Sequence, residues 1–84
     1  MKGYKCNSAE LAPIGEIVYA TGAKDAAIRY AIWLQVRIGI GPGVLQVDVG
    51  WFESVDPNSK LYRARYNVYT LGYSAREIVT TEYI

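Results

Sequence analysis

The fold is decided by Ile17-Val18-Tyr19-Ala20-Thr21-Gly22-Ala23-Lys24-Asp25-Ala26-Ala27-Ile28-Arg29-Tyr30-Ala31-Ile32-Trp33-Leu34-Gln35-Val36-Arg37-Ile38. A short apolar run stops at Thr21-Gly22, and the spacing of apolar residues then becomes helical, predicting a helix from about Gly22 to Ile38. Thr21 is the expected N-cap, because its hydroxyl can accept from a free amide one turn on, and Asp25 favours the positive helix end. Gly39 supplies a left-handed stop and Pro42 prevents continuation.

At about 100° per residue, Ala23, Ala27, Tyr30, Ala31, Leu34 and Ile38 share one side of that helix. This is the expected core face. Its alanines let the helix axis sit close to a sheet while Tyr30 and Leu34 fill the flanks, with Trp33 at the edge. A second apolar stripe, Ile28, Ile32 and Val36, lies among Lys24, Asp25, Arg29 and Gln35. Either Ser8 to Gly15 or another segment covers it, or it docks a second copy or a partner, since contiguous exposed apolar surface marks interfaces.

Upstream, Lys2 to Asn7 reads as an edge strand and Ser8 to Gly15, with Pro13 and Gly15, as a connecting loop. Glu16 to Ala20 is then a second short strand or a continuation of the first. Downstream of Gly39-Ile40-Gly41-Pro42-Gly43, Leu45, Val47, Val49 and Trp51 alternate with Gln46, Asp48, Gly50 and Phe52, the period of a sheet with one buried face. Asp56-Pro57-Asn58-Ser59 signals a turn. The returning strand runs from about Lys60 to Leu71, with Tyr62, Ala64, Tyr66 and Val68 on one face and Leu61, Arg63, Arg65, Asn67 and Tyr69 on the other. Gly72-Tyr73-Ser74-Ala75 turns again, and Arg76 to Ile84 has the β-branched content of a last strand. The expected fold class is α+β: a single helix packed on one face of an antiparallel sheet of about four strands.

Composition sets the limits. At 84 residues the chain is expected to be a single domain, residues 1–84, and its 51% hydrophobic content suffices for a packed core. Nine basic and eight acidic residues give a net charge of +1, too little for long-range attraction to polyanions. With no histidine, Ser-His-Asp and Cys-His arrangements and His-containing zinc sites are impossible. The single cysteine, Cys6, builds neither a thiolate cage nor an internal disulfide and fits a reducing compartment. Glu10, Glu16, Asp25, Asp48, Glu53, Asp56, Glu77 and Glu82 show no spacing that forces two carboxylates together. The expectation is a protein that is not an enzyme and carries no cofactor and no metal.

The glycines at 39–43 leave a helix and enter a strand, whereas phosphate loops lead into one, so helix termination accounts for them. Ala26 to Val49 is interrupted by Arg29, Gln35, Arg37, Gln46 and Asp48, short of the ~20 apolar residues a bilayer crossing needs. Met1-Lys2-Gly3-Tyr4-Lys5-Cys6 has basic residues but no apolar core of signal-peptide length behind it. The expected location is cytoplasmic. Arg63, Arg65, Asn67 and Tyr69 form one presented strand face, which serves as a solvated face, a protein contact or a nucleic-acid contact. Two arginines are few for a nucleic-acid groove.

The junction Ala20-Thr21-Gly22-Ala23-Lys24-Asp25-Ala26-Ala27, preceded by Ile17-Val18-Tyr19 and followed by Tyr30-Ala31 and a hairpin, resembles the strand-cap-helix opening of many small phage and mobile-element proteins. Among these it is similar to compact anti-CRISPR inhibitors that pack one helix on an antiparallel sheet. The likeness is an order of elements over roughly residues 16 to 70. It implies a stoichiometric inhibitor that binds a subunit of a CRISPR-Cas complex in the host cell cytoplasm and blocks target DNA or nuclease recruitment. The near-neutral charge departs from acidic DNA-mimicking members and favours contact through a mixed surface. No site motif of that family matches, so the proposed contacts, Arg63, Arg65, Asn67 and Tyr69 for the partner and Ile28, Ile32 and Val36 for self-association or docking, come from the residues themselves. The alternatives are a nucleic-acid-binding module and an antitoxin-like oligomer, possible homodimerisation running through the helix stripe.

Overall fold

The computed structural model describes residues 1–54, 56 and 58–83, with residues 79–83 by their backbone alone. The order of elements is β1 (Lys2–Ser8), β2 (Ala12–Ala20), α1 (Ala23–Ile38), β3 (Val44–Phe52), β4 (Leu61–Tyr69) and β5 (Ser74–Tyr83). Among the described residues the strands make one five-stranded sheet in the order β2-β1-β3-β4-β5, antiparallel at every pairing. It has one strand more than the sequence suggested. The extra strand comes from the N-terminal segment, which is a hairpin: β1 pairs with β2 on one side and β3 on the other, so β1 is interior and β2 forms the edge.

The expected loop from Ser8 to Gly15 shrinks to the turn at residues 9–11, and Pro13 and Gly15 lie inside β2. Proline lacks a ladder donor and is tolerated on an edge strand, which is where β2 lies. β3, β4 and β5 form the expected meander. The first turn of the meander is held by Asp56, whose carboxylate accepts from Asn58 N–H at 2.9 Å and whose carbonyl accepts from Ser59 N–H at 2.9 Å. Pro57 of that turn and Ile84 of the expected last strand lie outside the described residues.

The helix departs from its sequence reading at two points. Gly22, not Thr21, is the N-cap, and no side chain caps the first turn. The Asp25 carboxylate instead reaches back to Thr21, accepting from its N–H at 3.1 Å and from its hydroxyl at 3.2 Å, and pairs with Arg29 at 3.0 Å. The Thr21 amide, followed by that ion pair, holds the Asp25 carboxyl below the usual carboxylate range. The buried face is Ala26, Ala27, Tyr30, Ala31 and Leu34, with Ala23 partly buried and Ile38 exposed. The core line is therefore rotated slightly toward Ala26. The C-terminus follows expectation: Gly39 sits at φ 66°, ψ 34°, and its N–H donates to the Gln35 carbonyl.

The helix lies across one sheet face and touches all five strands. Beneath it are Tyr4 and Cys6 of β1, Ala20 of β2, Leu45, Val47 and Val49 of β3, Ala64, Tyr66 and Val68 of β4 and Ala75 of β5. Three alanines allow close approach, and Leu34 and Tyr30 supply bulk, each contributing on the order of 1.5–3 kcal/mol by leaving water. Two ties fix the helix end. Thr70 N–H and hydroxyl both donate to the Gly43 carbonyl while Gly43 N–H donates to that hydroxyl, and the Tyr73 hydroxyl bonds Gln35. Tyr73 and Gly72 both have positive φ, the backbone shape that turns β4 into β5 and presents that ring to the helix.

The Tyr30 hydroxyl is fully buried near the Ser8 backbone, outside hydrogen-bond geometry. A buried hydroxyl without a bond opposes folding by about 1–3 kcal/mol. Tyr30→Phe is therefore expected to leave stability unchanged or raise it by about 1 kcal/mol in urea denaturation, and a loss larger than that would reveal a bond in solution.

Candidate interaction face

With α1 on one side, no element among the described residues covers the opposite face of the sheet, and strand alternation decides what it displays. In β4 the buried Ala64, Tyr66 and Val68 point to the helix, so Arg63, Arg65, Asn67 and Tyr69 point away, as their spacing predicts. The register sets their neighbours. Asp48 lies between Asn7 and Arg65, Gly50 between Lys5 and Arg63, Gln46 opposite Asn67, and Val44 opposite Tyr69.

The two arginines differ in chemistry. Arg65 Nε donates to the Asp48 carboxylate at 2.7 Å, and this hydrogen bond, with the ion pair it belongs to, binds the guanidinium proton more firmly. Arg63 and Lys5 have no carboxylate partner among the described residues. They occupy the same rank across β1, β3 and β4, two strands or about 10 Å apart at the backbone. Between them is only Gly50, and the Arg63 stem passes 4.0 Å from where a Cβ on Gly50 would be. Lys5 lies over Gly15, where a Cβ would come within 2.6 Å of its Cε. Tyr19 rests on Gly3 in the same manner, at 3.4 Å.

These residues shape an open trough of about 530 Å³ bordered by Ile17, Phe52 and Leu61. Ile17 and Phe52 are each 58% exposed, and Tyr19 beside them is 65% exposed. The sequence reading had put Gly50 and Phe52 on the solvent side of β3 but singled out neither. It missed Lys5, Ile17 and Tyr19 as parts of this face. Alternation within β1 and β2 was a usable signal for all three, yet bringing them beside Arg63 requires the register between β1, β3 and β4.

The helix stripe is divided. Ile28 is partly buried against the core, whereas Ile32 is 40% and Val36 81% exposed, so no described segment covers the last two. The N-terminal part of β2 packs on the neighbouring helix edge, where Ala12, Ile14, Trp33 and Ile38 border a hollow of about 300 Å³. Arg37 stacks over Trp33 at 5.2 Å.

Cys6 is fully buried under the helix, and burial pushes its thiol up to about 12, so it is protonated near neutral pH. Among the described residues no three Cys, Asp or Glu side chains gather where a metal ion could be held, and no helix is long and apolar enough to cross a membrane. No family model, no curated protein and no solved structure matches this chain.

Asp48 is only 18% exposed at its side chain, so losing Arg65 strands a carboxylate that the sheet partly encloses. Arg65→Ala is expected to lower the melting temperature and Arg63→Ala to leave it unchanged, as read by circular dichroism. Equal effects of the two would show that the Asp48 pair does not distinguish them.

Proposed function

We propose that the chain is a non-enzymatic binding protein that docks a protein partner on its uncovered sheet face. The observation that carries this reading is one sheet face with no helix on it, displaying Arg63 and Tyr69 together with the exposed Ile17, Tyr19 and Phe52. Arginine and aromatic side chains on an apolar ground are the composition of energetic centres in protein interfaces. A net charge of +1 and the neutralisation of Arg65 by Asp48 weigh against a polyanion as the main partner.

The resemblance to anti-CRISPR inhibitors supplies the specific form of this reading: stoichiometric occupation of a subunit of a CRISPR-Cas complex, with Arg63, Arg65, Asn67 and Tyr69 in the contact. Arg65 serves there as half of an ion pair, presenting a neutral ridge next to the cationic Arg63. Ile32 and Val36 favour a second contact on the opposite side of the molecule, self-association through the helix.

In hosts with active CRISPR interference, the unmodified protein is expected to protect infecting phage, and Arg63→Glu combined with Tyr69→Ala to abolish protection while the fold persists. Absence of protection by the unmodified protein across the subtypes tried would reject the inhibitor role. For the helix contact, Ile32→Glu should convert a sedimenting dimer to a folded monomer. An unmodified protein that sediments as a monomer at every concentration would remove that contact.

A further inference from the structure

We infer that the end of the molecule where three apolar connections meet is a contact for a lipid bilayer surface. Leu11, Val44 and Leu71 enter it shallowly, and Arg37 and Arg76 stand a step behind them at the depth of the lipid phosphates. The contact is independent of the protein-docking reading above.

Topology gathers these residues. Every strand pairing is antiparallel, so β1 and β4 end, and β2, β3 and β5 begin, at the same end of the sheet. The turn at residues 9–11, the loop at 39–43 and the turn at 70–73 therefore lie across that end. Their one charged residue is Glu10, and Gly39-Ile40-Gly41-Pro42-Gly43 has no polar side chain at all. At the opposite end, residues 53–60 alone include Glu53, Asp56 and Lys60. Exposure follows the same division: Leu71 is 83% and Val44 61% exposed at the apolar end, with Leu11 and Ile38 also exposed.

Charge and depth name the occupant. Behind the apolar rim, each side of this end carries one aromatic ring and one arginine. On the helix side Arg37 stacks over Trp33 at 5.2 Å. On the open face Tyr69 pairs with Ser74, and Arg76 follows two residues on, opposite Asn67. Neither arginine has a carboxylate partner among the described residues, since Asp48 is held by Arg65 at 2.7 Å and Glu77 accepts from the Tyr66 hydroxyl at 3.2 Å. An apolar rim backed by Trp, Tyr and Arg has the layering of a bilayer interface, with acyl chains deepest, aromatic rings at the headgroups and phosphates beside the cations. A fluid acyl layer accepts separate side chains on three loops without the matched surface that a folded partner needs. Glu10, and Glu16 beside Arg37 in the hollow, offset part of the positive charge. Apolar entry therefore supplies most of the affinity, and anionic lipid adds to it.

The test is cosedimentation of the purified full chain with vesicles of phosphatidylcholine alone and of phosphatidylcholine mixed with phosphatidylglycerol. Binding to both is expected, tighter to the mixed vesicles. Leu11→Asp and Leu71→Asp alter exposed turn residues, so circular dichroism should show the fold retained. Each should weaken binding to either vesicle by about tenfold or more, the loss of one buried apolar side chain. Glu10→Lys should tighten binding to the mixed vesicles by about fivefold or more. Glu53→Lys, the same charge change at the opposite end, should leave it unchanged.

No cosedimentation with either vesicle, or binding that both aspartate variants leave intact, would overturn the proposal. So would binding confined to the mixed vesicles that Glu10→Lys and Glu53→Lys raise equally, which would assign it to the net charge of the chain. An unmodified protein that fails to bind vesicles and sediments as an oligomer dissociated by Leu71→Asp would assign this end to a second copy instead.

Discussion

The constraint on which this molecule depends is that one helix must cover a whole five-stranded sheet by itself. At 1.5 Å per residue the sixteen residues of α1 span about 24 Å, and five strands at about 4.8 Å spacing are nearly as wide. Contact is close because Ala26, Ala27 and Ala31 put almost no side chain between the helix backbone and the sheet. Tyr30 and Leu34 then fill the remaining depth. A larger residue at any of the three alanines would lift the helix and open gaps over Val47, Val49 and Val68, whose burial supplies much of the core. All the cover available is used on one face.

The other face must therefore persist in water as a finished surface. Its apolar members are dispersed among charges: Lys5 next to Ile17, Arg63 next to Leu61, Asp48 and Arg65 joined across β3 and β4. An exposed sheet with long apolar runs is prone to sheet-on-sheet association. Here Lys5 and Arg63 interrupt the rank through Ile17 and Gly50, and Asp48 with Arg65 the next, while Phe52 with Leu61 and Val44 with Tyr69 remain uncharged. Charged and apolar side chains therefore share this face, with Ile17, Tyr19 and Phe52 exposed beside Lys5 and Arg63.

Much of this was legible in the sequence where local rules and tertiary packing agreed. The helix, its Gly39 stop, the alternation of β3 and the two-faced β4 all follow from periodicity and turn chemistry, and they survive in the structure nearly unchanged. The failures fall where a residue's local meaning was overridden by its neighbours. Pro13 and Gly15 read as loop, but an edge position excuses the proline and the glycine makes room for Lys5. Thr21 read as a cap, but Asp25 claims its hydroxyl and amide, leaving Gly22 to start the helix. Ile38 read as core, but the turn before Gly39 carries it past the sheet, and Ala26 takes the buried place. The candidate face was half visible, since Arg63, Arg65, Asn67 and Tyr69 lie on one strand. Lys5 and Ile17 join them only through strand register, which no local pattern encodes.

The glycines of the open face bring these threads together. Glycine in a strand interior weakens it by roughly 0.5–1 kcal/mol relative to alanine, yet Gly3, Gly15 and Gly50 all lie within strands on the uncovered side. Gly3 is overlaid by Tyr19 and Ile17 and Gly15 by Lys5, all from the neighbouring strand, while Arg63 passes Gly50 at 4.0 Å. Part of the lost packing is recovered by that overlay, as when aromatic residues compensate glycines across a sheet. The net result is a flat floor with side chains reclining on it. A side chain at Gly15 would displace the Lys5 stem, whose Cε lies 2.6 Å from where the new Cβ would be, whereas at Gly50 a Cβ meets only ordinary contacts. At Gly3 and Gly15 a weaker strand position and a long side chain lying over it thus occur together.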